Sequence, residues 1–119
     1  MRLIALLLFA FVSAANGLVT IIRGGSDFKL VGPGSLVLYH CRTGPQCASQ
    51  CKKLTELSEK PGCPPAFLAC VGSDVGILRE AEKLRITTLP ALVYRTKMGD
   101  HVRISMKDLQ EFLEEEEEE

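Results

Sequence analysis

The stretch Ser35–Leu57, SLVLYHCRTGPQCASQCKKLTEL, constrains the fold more than any other part of the chain. Leu36-Val37-Leu38-Tyr39 is a short apolar run between Gly34-Ser35 and Gly44-Pro45, with the length and residue types of a strand buried on both faces. Beyond the Gly-Pro turn, small and apolar residues recur at Cys47, Ala48, Cys51, Leu54 and Leu57. That three-and-four spacing puts them on one face of a helix. A cysteine therefore stands at the start of a helix that follows a buried strand. There the positive end of the helix dipole and the unpaired backbone N–H groups favour thiolate over thiol, lowering a cysteine pKa below its free value of about 8.5.

The two ends of the chain read differently from its middle. Arg2, the apolar run Leu3–Val12 and the small residues Ser13-Ala14-Ala15 predict a secretory signal peptide over 1–15, because the run is too short to span a bilayer. Cleavage there leaves residues 16–113 as one domain and Glu114–Glu119 as an acidic, disordered tail. One of the 14 basic residues is Arg2 and six of the 15 acidic ones form the tail, so the body carries 13 positive charges against 9 negative. Weak calcium binding by the Glu114–Glu119 run is the one ion association expected, because six adjacent carboxylates lack the alternating ligands of a tight calcium loop. No cysteine-histidine pattern fits zinc, and nothing points to a cofactor, to nucleic acid or to a membrane once the signal is removed. The secretory route permits disulfides, so Cys41, Cys47, Cys51, Cys63 and Cys70 are all candidate partners. Five is odd, and at least one thiol must stay free, buried or paired with another chain.

In order, Leu18–Ile22 predicts a first strand, with Ser26 capping a short helix over Asp27–Val31. The strand Leu36–Tyr39 and the cysteine-bearing helix follow, the helix ending near Lys60 because Pro61-Gly62 cannot continue it. Ala66–Val71 is a second buried strand. Ser73 caps a helix Asp74–Leu84 with Val75, Leu78, Ala81 and Leu84 inward and Glu80, Glu82, Lys83 and Arg85 outward. Ala91–Tyr94 and His101–Ser105 form a hairpin about Lys97-Met98-Gly99-Asp100, and a last helix carries Leu109, Phe112 and Leu113 on its inner face. The order β-α-β-α-β-α-β-β-α predicts an α/β domain with a central mixed sheet flanked by helices on both faces.

That order, the turn cysteine after the second strand and Ile86-Thr87-Thr88-Leu89-Pro90 before the hairpin together resemble the thioredoxin fold. The segment Asp74–Leu92, DVGILREAEKLRITTLPAL, is similar to the helix, connector and cis-proline of the single modules of the protein disulfide isomerase family, and the likeness extends over Leu18–Leu113. The resemblance implies a thiol pair at the helix start, one cysteine attacking a client disulfide and the other resolving the mixed disulfide. It also implies a cis Leu89–Pro90 peptide facing the thiols, where the backbone of Leu89 pairs with an extended client chain.

The family's Cys-x-x-Cys and its preceding tryptophan are both absent here. Counted from the strand, the motif falls on Gly44-Pro45-Gln46-Cys47, with Gly44 in place of the attacking thiol and Cys47 in the resolving position. Counted from the helix, it becomes Cys47-Ala48-Ser49-Gln50-Cys51, with Cys47 attacking. The family's buried carboxylate beneath the thiols is replaced by Leu36, Val37 and Leu38. Cys47 with Cys41 or Cys51 are thus the candidate catalytic residues, and Leu89, Pro90, Gly44, Pro45 and Gln46 the candidate client-binding ones, with Tyr39 beside them. Cys70 reads as core and Cys63 as exposed among prolines. Two functions are compatible: thiol–disulfide exchange of an atypical kind on unfolded or disulfide-containing clients in the endoplasmic reticulum lumen or outside the cell, or redox-inactive client binding at the Pro90 edge.

Overall fold

A computed structural model describes residues 19–118. The expected signal segment 1–15 lies outside the described residues, as does Glu119. Five strands, β1 (Thr20–Ile22), β2 (Ser35–His40), β3 (Ala66–Cys70), β4 (Ala91–Arg95) and β5 (His101–Ile104), form one sheet in the order β1-β3-β2-β4-β5. β3 runs parallel to both β1 and β2, whereas β4 runs antiparallel to β2 and β5. The sheet is mixed because two strand–helix–strand crossovers precede one tight hairpin.

The pleat of β2 sorts the core into two layers. Leu36 and Leu38 point to one face, where helices α1 (Pro45–Ser58) and α3 (Met106–Glu118) cover them with Leu54, Leu57, Leu109 and Leu113. Val37 and Tyr39 point to the other, under a 3-10 helix (Gly25–Leu30) and helix α2 (Val75–Lys83), and pack with Phe67, Ile77, Ala81 and Val93. Both layers are closed, so β2 is buried along almost its whole length, as an all-apolar central strand requires.

Several elements differ from the sequence expectation. The first helical turn is a 3-10 helix starting at Gly25, ahead of Ser26. In α2 it is Ile77 and Ala81 that are buried, while Val75 and Leu78 are 62% and 41% exposed. Ala81 and Leu84 meet the core as expected, and near the start of the helix Gly25 and Gly76 approach so closely that a Cβ on Gly76 would lie 2.7 Å from the Cα of Gly25. Asp74, not Ser73, caps α2. Its Oδ2 accepts the N–H of Gly76 at 2.9 Å and that of Gly25 at 3.1 Å, so one carboxylate ties the two glycine segments together. The Ser73 hydroxyl donates instead to the Cys70 carbonyl at 2.9 Å.

Helix α2 ends in a Schellman turn. Arg85 sits at φ 59°, its N–H bonding to the Glu82 carbonyl and that of Ile86 to the Ala81 carbonyl. Helix α3 opens on a reciprocal cap in which the Ser105 hydroxyl accepts the Asp108 N–H at 3.0 Å and the Asp108 carboxylate accepts the Ser105 N–H at 3.2 Å. It then continues through the glutamate run to Glu118, where a disordered tail from residue 114 was the sequence expectation. Glutamate is a good helix former, and the capped first turn with buried Leu109 and Leu113 supplies the nucleus it extends.

Candidate active site

Helix α1 starts at Pro45, two residues before the cysteine that the periodicity alone picks out. Gly44 is the residue before it, at φ 126°, a backbone conformation open to glycine and strained for other residues. Pro45 stands at the first helical position, where its missing N–H leaves no bond unmade. Cys47 is thus the third residue of α1, 3% exposed and inside the first turn where the helix dipole acts.

The partner of Cys47 is Cys41. The two form a disulfide across the turn with their Cα atoms 6.0 Å apart, within the usual range for such a bond. Cys41 is the first residue after β2 and half-buried, so it presents the more accessible sulfur of the pair. Its backbone N–H donates to the Cys47 Sγ at 3.0 Å. The neighbouring His40 ring makes a 3.1 Å hydrogen bond through Nδ1 to the Cys41 carbonyl. A carbonyl only accepts, so Nδ1 carries the proton. Both polar groups of the Cys41 backbone are therefore engaged at the disulfide.

The remaining cysteines are free thiols. Cys51 lies one turn beyond Cys47, half-buried against the leucines of the α1 layer, and does not pair with it. Burial pushes its thiol up, and the nearby Cys70 adds to the shift. Cys70 itself is half-buried at the end of β3, opposite His40, so the fully buried position expected for it is corrected. Cys63 is also half-buried rather than exposed, packed against the same apolar layer, and desolvation pushes its thiol up to about 11. Neither Cys51 nor Cys63 has the electropositive, accessible setting that makes a thiol nucleophilic.

The loop before β4 carries a cis peptide between Leu89 and Pro90. A cleft of about 580 Å³ lies between that loop and α1. Pro45, Gln46, Ser49 and Gln50 line one wall, and Thr88, Leu89 and Pro90 the other. Of the expected client-binding residues, Pro45, Gln46, Leu89 and Pro90 are brought together, while Gly44 lies outside the lining. Tyr39 does not join them. It is 2% exposed on the opposite face of the sheet, its ring centroid 6.1 Å from that of Phe28 in a stacked pair, because the pleat sends it to the α2 layer. Burial pushes its phenol up, and Glu80 adds to the effect. Glu80 is itself half-buried there instead of facing solvent.

The cleft also uses residues that pattern reasoning passed over. Gln46, Ser49 and Gln50 are a polar stripe at i, i+3 and i+4, which by itself reads as an ordinary solvated helix face. Thr88 is held by Arg103 of β5, whose Nη2 donates to the Thr88 hydroxyl at 3.0 Å. On the face of β2 that α1 covers stand Leu36 and Leu38, both 0% exposed, and no carboxylate is buried among the described residues.

No protein-family model matches the sequence, and no curated protein matches it. Solved structures do match. Fasciola hepatica thioredoxin superposes with a TM-score of 0.66 at 16% identity, over 82% of this chain and 98% of the other. The thioredoxin of Plasmodium falciparum gives 0.64 at 18%, over the same 82% and 98%. The chain has the thioredoxin fold. Schistosoma mansoni thioredoxin, in its reduced form, agrees with a TM-score of 0.66 at 14% identity, over 82% and 97%. In this thioredoxin-fold chain Gly44 precedes α1, and the partner of Cys47 comes from three residues further back in the loop.

Proposed function

We propose that this chain is a thiol–disulfide exchange protein of the protein disulfide isomerase type, acting through Cys41 and Cys47 on disulfide-containing or unfolded client chains in the secretory pathway. The observation that carries this reading is the Cys41–Cys47 disulfide at the start of α1, beside a cleft whose far wall is Leu89-Pro90. A client thiolate attacks the more accessible Cys41 sulfur, a mixed Cys41–client disulfide forms, and Cys47 leaves as a thiolate. The helix N-terminus and the Cys41 N–H stabilise that leaving group, and a better leaving thiolate speeds exchange. In the reverse direction Cys47 attacks the Cys41 sulfur of the mixed disulfide and releases the client thiolate. With Leu36 and Leu38 where the family keeps a buried acid, no side chain beneath the pair takes up the proton of Cys47, so exchange is slow and relies on solvent.

Insulin reduction with dithiothreitol as the electron source tests this. Turnover by the natural chain that disappears in both Cys41→Ser and Cys47→Ser, and persists in Cys51→Ser, supports the reading; equal rates in all four chains end it. The absence of tryptophan and of the acid favours a second reading, a redox-inactive client binder using the same cleft. It is distinguished by client binding that survives replacement of both Cys41 and Cys47 with serine while insulin turnover is absent from the natural chain.

A further inference from the structure

The cleft beside the disulfide does not end at Pro90. A second cleft of about 390 Å³ begins on the other side of Gln50 and Pro90, which line both, and runs on to Arg103 and to Ser105-Met106 at the start of α3. The two make one trench along the flank of α1, long enough for an extended segment of chain. Its lining is hydroxyls, amides and apolar side chains with a single charged residue, Arg103. Arg103 is exposed, and among the described residues its hydrogen bonds use one nitrogen, Nη2 to the Thr88 hydroxyl at 3.0 Å and to the Thr88 carbonyl at 3.5 Å. A guanidinium has five N–H donors, so the others remain to meet a ligand. Asp108, two residues beyond Met106, turns its carboxylate onto the backbone N–H of Ser105 and lines a different groove, with Leu109 and Phe112.

We infer that Arg103 makes the trench selective for client segments that carry a glutamate or aspartate a few residues from the stretch lying along Leu89-Pro90. This rests on the client-binding reading above and adds the class of client to it. A carboxylate in the trench meets Arg103 without opposition, whereas a lysine there faces a like charge on a wall that holds no acid. Such a pairing at an exposed site tunes choice of partner more than total affinity.

The test uses short fluorescein-labelled peptides of serine, alanine and leucine without cysteine, in a neutral form and with a single Glu or Lys scanned along the sequence. Binding to the full chain is read by fluorescence anisotropy at low and high salt. The best Glu position is expected to bind about fivefold tighter than Lys at that position, with the difference shrinking in high salt. Arg103→Gln should level the two and Arg103→Glu should invert them; Glu and Lys peptides are compared on each variant, so any change common to both from losing the Thr88 bond cancels. Equal binding of Glu and Lys peptides by the natural chain, or a preference that survives Arg103→Gln, overturns the inference while leaving client binding intact. Failure of every peptide, the neutral one included, removes the client-binding reading and this inference with it. A concentration-dependent dimer that Arg103→Glu dissolves, without any peptide preference, gives the trench to the glutamate run of a second copy and also overturns it.

Discussion

The backbone N–H of Cys41 donates to the sulfur of Cys47 at 3.0 Å, so the residue that closes the disulfide also solvates the sulfur it would release. The bond comes from main chain and not from a side chain. It therefore survives any substitution at position 41 that keeps the turn.

This separates the two cysteines experimentally. In the reduced protein Cys41 is expected to alkylate first, because Cys47 is 3% exposed. Mass-resolved alkylation of the reduced chain checks this, and Cys47 modified first, or both at one rate, would show that its burial does not shield the sulfur.

The Gly25–Gly76 crossing leaves no room for a side chain. In Gly76→Ala the new Cβ would lie 2.8 Å from the Gly25 nitrogen and 2.9 Å from Asp74 Oδ2, so the 3-10 helix and α2 must separate. A loss of about 1–3 kcal/mol is expected, as for overpacking elsewhere. Thermal unfolding should show a melting point lower by about 4–8 °C per kcal/mol. Asp74→Ala should cost about 1 kcal/mol through the lost cap.

Arg85 offers a change in the other direction. Its φ of 59° is left-handed, where a side chain costs about 1–2 kcal/mol that glycine avoids. Glycine's greater freedom in the unfolded chain offsets part of that gain, so Arg85→Gly is expected to raise the melting point by about 4–8 °C without altering insulin turnover. An unchanged or lower melting point would mean that the arginine side chain contributes more than the backbone conformation costs.

Cys63 sets a pH limit. Its thiol ordinarily titrates at 9.0 and in the fold is pushed up to about 11 by desolvation. Between those values the unfolded chain has lost the proton that the folded chain keeps, so stability is whole below pH 9 and falls as pH rises towards 11. Cys63→Ala should flatten the decline of melting temperature over that window. Because the residue is only half-buried, the effect is a fraction of what complete burial would give. A decline identical in both proteins would show that other groups cause it.

Much of the fold was legible from local chemistry. The apolar run Leu36–Tyr39, the Gly-Pro turn and the stripe Leu54-Leu57 each specify their element through neighbours within one or two turns of chain, so sequence spacing alone carries them. The odd number of cysteines likewise required an unpaired thiol, and Cys41 stood among the candidates for Cys47.

The tertiary structure decided whatever depends on two segments distant in sequence. Gly76 meets Gly25 at the start of α2, a contact across 51 residues that no periodicity encodes. Tyr39 sits next to a client-binding turn in sequence and on the opposite side of the sheet in space, because alternate residues of a strand face opposite ways and only the packed helices say which way is which. Cys47 pairs with Cys41 because Pro45 starts the helix earlier than its apolar spacing suggests, which turns the sulfur back towards the end of β2. The trench between α1, Pro90 and Arg103 exists only once the sheet has set β4 and β5 beside that helix. Its residues are polar and unremarkable along the chain, and proximity in three dimensions is what gives them a common surface.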